Sequence, residues 1–283
     1  MGKTKESKIK YKTVFLSDVH IGMRQTGIRK LNHFLENIRC KTLVLNGDII
    51  DGWALEKSGK WRKSHTRCIR LILKMVEKDK TRVVYVRGNH DDFMSNILPF
   101  AFGRIEFCES YVHHGNDRKY LVLHGDCFDS FSTKRKWIAK IGSIGYDNLM
   151  RFNRLYNWYR RIRGKKPFSL SAWVKAKVKG AVNHIHRYED SLAQMARKHQ
   201  CEGIICGHIH VCADRMIGKV RYLNSGDWVE SNTGIVENLD GEMKLFSYEE
   251  FAKQLKLPEV DSDSVPLRLV RDLRSPNRRC VRI

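Results

Sequence analysis

Apolar runs recur along this chain, and several stop on a short polar cluster. Thr13-Val14-Phe15-Leu16, Thr42-Leu43-Val44-Leu45 and Arg82-Val83-Val84-Tyr85-Val86 are short and rich in β-branched residues, which predicts strands. Between the first two, Leu31, Phe34, Leu35 and Ile38 follow helical spacing, which predicts a helix over 28–38. Ile69, Ile72, Leu73 and Val76 do the same and predict a helix near 66–77. Later strands are predicted at 120–123, 203–206, 220–223, 234–237 and 243–246, with Asp240-Gly241 as a hairpin turn between the last two. Alternating strands and helices early, with hairpin-like strands late, indicate a layered α/β domain with a mixed sheet.

Residues 127–200 break this rhythm. Between Lys134 and Arg187 stand fifteen Lys or Arg and one acidic residue, Asp147. Trp137, Tyr146, Phe152, Tyr156, Trp158, Tyr159, Phe168 and Trp173 are interleaved with them. The stretch reads as a basic, aromatic helical insertion that splits a core of 12–126 and 201–254. The polar, Arg-rich residues 255–283 read as a flexible tail.

Charge then narrows the partners. A net charge of +22 concerns partners and not fold. It points to phosphate-bearing substrates, anionic membrane surfaces or nucleic acid. No run of 18 or more apolar residues is present, so no membrane-spanning helix is expected. Residues 1–12 lack an apolar signal region, and a cytoplasmic location is expected. The eight cysteines form no CxxC pair and read as free thiols.

The polar clusters carry the chemistry. Ser17-Asp18-Val19-His20, Asn46-Gly47-Asp48, Gly88-Asn89-His90-Asp91, His124-Gly125-Asp126 and Gly207-His208-Ile209-His210 each follow an apolar run. In open α/β sheets, ligands bind beyond the carboxyl ends of strands. Asp, His and Asn gathered there suit Mn, Fe, Zn or a similar divalent ion better than a calcium cage. Two such ions clamp a phosphate and activate water, and a bridging carboxylate is needed between them. Asp48 is the candidate bridge. Asp51, Asp126 and Asp227 are candidates for orienting the ligands. Arg87, Arg160, Arg161 and Lys165 are candidate phosphate contacts.

These five clusters, in this order, resemble the calcineurin-like metallophosphoesterase superfamily over residues 12–250. The resemblance implies a β-sandwich of two mixed sheets flanked by helices. It implies that Asp18, His20, Asp48 and His210 hold one metal, and that Asp48, Asn89, His124 and His208 hold the other, with two Mn²⁺ ions as the expected pair. It assigns His90 to the phosphate as electrophile or proton donor, a catalytic group beside Asp48, oriented by a nearby carboxylate; Asp91 joins Asp51 and Asp126 as an orienting candidate. Gly47-Asp48-Ile49-Ile50-Asp51-Gly52-Trp53, Asn224-Ser225-Gly226-Asp227-Trp228 and the basic insertion are similar to the bacterial UDP-2,3-diacylglucosamine pyrophosphohydrolase group. That similarity implies a lipid-linked nucleotide cleaved to UMP and lipid X, at the cytosolic face of the inner membrane. The group carries Arg where this chain has His90, which marks a divergent branch. The alternative expectation is a metal-dependent phosphodiesterase or nuclease acting on nucleic acid.

Overall fold

The computed structural model describes residues 8–23, 26–58, 61–116, 118–128, 156, 159, 160, 162–164 and 187–255. The expected tail, and most of the expected insertion, lie outside the described residues.

The first sheet contains β1 (Ile9–Leu16), β2 (Ile38–Asn46), β3 (Arg82–Val86), β4 (Phe100–Phe102), β5 (Ile105–Cys108), β11 (Thr233–Glu237) and β12 (Met243–Ser247). Its order is β12-β11-β1-β2-β3-β5-β4. The second sheet contains β6 (Tyr111–His114), β7 (Lys119–Val122), β8 (Gly203–Cys206), β9 (Ala213–Ile217) and β10 (Val220–Asn224), in the order β6-β7-β8-β10-β9. In each sheet a parallel centre is flanked by antiparallel strands: β1, β2, β3 and β5 run parallel in the first, and β7, β8 and β10 in the second.

The apolar runs are continuous because both faces of these strands are buried. Alternate side chains serve different layers. Phe15, Val44, Val84 and Val86 pack between the sheets with Tyr120, Val122, Ile205 and Leu223. Val14, Leu16, Leu43, Leu45 and Val83 face the other way, toward α1 (Ile28–Asn37), α3 (Lys63–Lys78) and α5 (Tyr248–Gln254). On the second sheet, Leu121, Ile204, Cys206 and Tyr222 pack against Tyr188, Leu192, Ala193 and Ala196 of a helix, α4, at 187–198. The expected insertion extended to 200, and this helix within that range packs on the core. The result is a four-layered sandwich, as the family resemblance implies.

Several elements were not anticipated from the sequence. β4, β5, β6 and β9 are short or carry exposed side chains, so their periodicity is weak. α2 (Gly52–Ser58) spans only two turns. α5 was not anticipated either, although it starts on a capping box: the Ser247 hydroxyl accepts from the Glu250 amide, and the Glu250 carboxylate accepts from the Ser247 amide.

A buried carboxylate ties the two sheets together. Glu237, at the end of β11, accepts from Thr13 Oγ1 at 2.7 Å and Lys12 Nζ at 2.8 Å. Across the sandwich it meets His113 Nε2 of β6, at 3.1 Å. Burial pushes the Glu237 carboxyl up, but the bonds from His113, Lys12 and Thr13 outweigh it and hold it down at about 2. Its folded-state pKa lies below the ordinary value, so its stabilisation is present above about pH 4.5 and fades as pH falls toward 2. Glu237→Gln is therefore expected to lower stability by about 1–3 kcal/mol at neutral pH. In urea unfolding, the gap from the parent should narrow as pH drops from about 5 to 3.

Candidate metal centre

The parallel strands of both sheets release their carboxyl ends at one edge of the sandwich. Asp18 and His20 follow β1, Asp48 follows β2, and Asn89 and His90 follow β3. His124 follows β7, and His208 and His210 follow β8. The loops are stitched to one another by backbone bonds. Asp18 N donates to Gly47 O, His20 N to Asp48 O, Gly207 N to His124 O, and Trp228 N to Asp18 O, all at 2.9–3.0 Å.

Five of these residues hold a left-handed backbone: Asp18 (φ 52°), His20 (49°), Asp48 (53°), His208 (65°) and His210 (51°). Such conformations cost about 1–3 kcal/mol each in a non-glycine residue and cluster at functional sites. Here they turn successive side chains toward a common point.

The carboxylates are fixed by their inner oxygens. Asp48 Oδ1 accepts from His90 N at 2.8 Å, and Asp18 Oδ2 accepts from His208 N at 3.0 Å. Their other oxygens face the site. Asp48 Oδ2 lies 3.3 Å from His124 Nε2, 3.8 Å from His20 Nε2 and 3.9 Å from His90 Nε2. Asp18 Oδ1 lies 3.2 Å from His210 Nε2. A side chain at Gly88 would overlap the Asp48 carboxylate, and one at Gly207 would overlap that of Asp18. Glycine is required at both positions for this close approach.

The imidazoles are oriented from behind. His124 Nδ1 lies 2.9 Å from the Asn46 carbonyl, and His20 Nδ1 lies 3.0 Å from Asp51 Oδ2. A proton held on Nδ1 leaves the Nε2 lone pair facing the site, the tautomer a metal requires. Among the described residues, four buried ligand atoms lack a hydrogen bond of good geometry, though ion-pair contacts within 3.3 Å reach two of them: Asp18 Oδ1, His20 Nε2, Asn89 Oδ1 and His124 Nε2. Buried polar atoms are ordinarily satisfied. Orphaned nitrogens and oxygens converging in this way fit a divalent cation pair.

Charge argues the same way. Burial pushes the Asp18 and Asp48 carboxyls up, yet His124 and the neighbouring histidines hold both below the ordinary carboxylate value. Burial lowers His124, but Asp48 and Asp18 raise it overall, to about 10. The pocket therefore favours positive charge. Among the described residues, three sets of potential ligand atoms cluster: Asp18, His20 and His210; Asp48, His124 and His208; and His20, Asp48 and His90. The first two sets contain only residues expected as metal ligands. The third adds His90, expected as a catalytic group.

The remaining candidates fall as follows. Asp51 Oδ2 meets both His20 Nδ1 at 3.0 Å and His90 Nδ1 at 3.1 Å, while its Oδ1 accepts from Ala54 N. Asp91 is buried and accepts from the amides of Ile49 and Ile50 and from the Tyr85 hydroxyl. It thus braces the loop after Asp48, and the carboxylate beside His90 is Asp51. Asp126 Oδ2 lies 3.7 Å from Arg87 Nη1, and Asp92 Oδ1 lies 3.5 Å from the same atom. Asp227 caps the turn at Val229 and Glu230, and its Oδ2 lies 4.0 Å from His210 Nδ1. Arg160 lies over the Tyr156 ring, and Arg161 and Lys165 lie outside the described residues. Two contributors stood in the quoted motifs without an assigned role. Asn46 holds His124 through its carbonyl, and its side-chain amide donates to Leu123 O and Ile205 O, joining three strand ends. Trp53 places its ring 4.2 Å from that of His90. The cue for Asn46 was a polar residue closing a strand directly before Gly47-Asp48.

Asp51→Asn leaves one hydrogen-bonding oxygen but removes the charge shared by two imidazoles. It is expected to lower phosphoester turnover by about 10- to 100-fold. Metal titration of the same variant should show weaker binding, because His20 loses its orienting partner as well.

The calcineurin-like phosphoesterase family model matches residues 11–212. Among curated proteins, the chain is similar to the UDP-2,3-diacylglucosamine hydrolases of Yersinia pseudotuberculosis and Yersinia pestis. The identity is 25% over 117 residues, covering 40% of this chain and 48% of each relative. The chain thus spans about half the length of the curated relatives it matches. Among solved structures, it is similar to vacuolar protein sorting 29 from Cryptosporidium parvum, at 14% identity, 83% and 94% coverage of the two chains and a TM-score of 0.36. It is also similar to Yfce, a phosphoesterase from E. coli, at 12% identity, 83% and 98% coverage and a TM-score of 0.37. With the matched model spanning most of the chain and the ordered ligand clusters gathered at one edge of the sandwich, this protein belongs to the calcineurin-like phosphoesterase family.

Proposed function

We propose that this protein is a two-metal hydrolase that cleaves a phosphoanhydride in a lipid-linked nucleotide of the UDP-2,3-diacylglucosamine type, releasing UMP and an acylated sugar phosphate. The observation that carries the hydrolytic reading is the position of Asp48 Oδ2, which faces three imidazoles between two ligand sets. The similarity to UDP-2,3-diacylglucosamine hydrolases and the basic, aromatic stretch 127–200 support the substrate.

Asp18, His20, Asp48 and His210 would hold one ion, and Asp48, Asn89, His124 and His208 the other, with Mn²⁺ the proposed pair. When bound, such ions supply Lewis acidity that draws charge from the phosphate and activates water. The protein's own residues supply orientation and a proton. Asp51 Oδ2 lies 3.1 Å from His90 Nδ1, a carboxylate that favours a protonated ring, and His90 Nε2 stands 3.9 Å from Asp48 Oδ2 at the site. As water oxygen bonds to phosphorus and the phosphoanhydride P–O bond breaks, His90 Nε2 gives its proton to the leaving oxygen. Arg87, 3.5 Å from Asp92 and 3.7 Å from Asp126, would meet the second phosphate. Trp53, half-exposed beside His90, offers a flat face to the sugar or base.

Incubating the Mn²⁺-loaded protein separately with the lipid nucleotide, single-stranded DNA and RNA tests this reading. UMP release from the lipid nucleotide, with the nucleic acids left intact, is expected. Cleavage of nucleic acid with the lipid nucleotide untouched would replace the proposed substrate with the alternative one.

A further inference from the structure

An uncharged apolar ridge borders the metal centre. It begins two residues after Asp91, and residues 93–102 contain no charged side chain. The 3₁₀ turn Asp92–Ile97 exposes Phe93 (57%) and Ile97 (58%). Edge strand β4 continues it with Phe100 and with Phe102, which is 69% exposed. Phe100 and Phe102 share one face of β4, because strand side chains alternate. They pair in register with Phe107 and Ile105 of β5, whose side chains pack against the helix-covered core. The ridge is therefore the outward continuation of the buried apolar face of the first sheet. Four exposed large apolar side chains within one ten-residue segment mark an interaction site.

Charge selects the occupant. A second copy would bring two chains of net charge +22 together, which repulsion opposes. A bilayer bearing anionic lipids attracts the same charge and accepts aromatic side chains at its interface. Arg104 stands two residues after β4, while Asp92 at the other end of the strip is offset by its pairing with Arg87, so the attraction to anionic lipid comes from the net charge of the chain. We infer that the ridge formed by Phe93, Ile97, Phe100 and Phe102 is the surface by which this protein docks on an anionic lipid bilayer, with its metal centre opening at the membrane surface. The inference rests on the lipid-substrate reading above and deepens it: the substrate enters directly from the membrane.

Co-sedimentation with vesicles of phosphatidylglycerol and phosphatidylcholine tests it, using the full chain. The parent should bind them and retain part of that binding at about 0.5 M salt, where charge attraction is largely screened. The triple variant Ile97→Ser, Phe100→Ser, Phe102→Ser should bind about tenfold less tightly or worse, with hydrolysis of a water-soluble diester unchanged. Phe102→Ser alone, at an exposed position that carries little of the fold, should weaken binding about threefold. Equal vesicle binding by parent and variants would overturn the inference. So would a parent that is dimeric by light scattering while the triple variant is monomeric, since the ridge would then join two copies. Docking that depends on the ridge, in a protein that does not cleave the lipid nucleotide, would retain the membrane surface and reject the substrate.

Discussion

Asp48→Asn lowers metal-dependent phosphoester hydrolysis by about 10³- to 10⁴-fold, the loss expected when several kcal/mol of transition-state stabilisation disappear. The size follows from the geometry. Asp48 Oδ2 is the oxygen within 4 Å of His20, His90 and His124, while Oδ1 is held by the His90 amide. An amide there can preserve the bond to His90 N, but it withdraws the negative charge from the centre of the site. His124 is raised to about 10 by Asp48 and Asp18 together, so the same substitution also removes part of what favours positive charge there. The variant should remain folded, since the Asp48 carbonyl's bond from His20 N, in the loop after β1, does not involve the side chain. It should bind fewer than two ions per chain. Full turnover with two ions bound would show that another group bridges the site.

His90→Ala produces the second large effect, a loss of about 10²- to 10⁴-fold on a substrate with a basic leaving oxygen. The loss should depend on the leaving group. With p-nitrophenolate, which departs without a proton, the deficit should shrink to about tenfold or less. A merely structural role would depress both substrates alike. The third ligand set makes this comparison decisive, because His90 also lies within reach of a cation held by His20 and Asp48. A deficit that is independent of the leaving group and accompanied by metal loss would reassign His90 from proton donor to ligand.

The interior strands were legible because burial on both faces writes an uninterrupted apolar run. Val14-Phe15-Leu16 and Ile204-Ile205-Cys206 are buried throughout and serve two cores by alternation. The ligand residues were legible because each closes such a run. The sheet edges were not. Phe100–Phe102 is three residues long and exposed, and Ala213–Ile217 presents mostly polar or exposed side chains, so neither carries a pattern. Asp51 was legible as an orienting candidate, but which imidazoles it meets depends on tertiary packing. Asp51 meets two histidines that stand 31 residues before it and 39 after, a convergence no local spacing encodes. Asp91, an orienting candidate from its place in the third cluster, accepts from the amides of Ile49 and Ile50. Glu237 ends a buried strand as an unexplained charge until His113 and Lys12 are brought beside it.

The central claim is that two ligand sets joined at Asp48 hold a working pair of divalent ions. Metal analysis of the purified chain after equilibration with Mn²⁺, coupled to hydrolysis of a model diester before and after chelation, tests it most directly. Two ions per chain, activity lost on chelation and activity restored by Mn²⁺ are the predicted results. A fully folded protein that binds no divalent ion, or that hydrolyses the diester equally well after chelation, would contradict it.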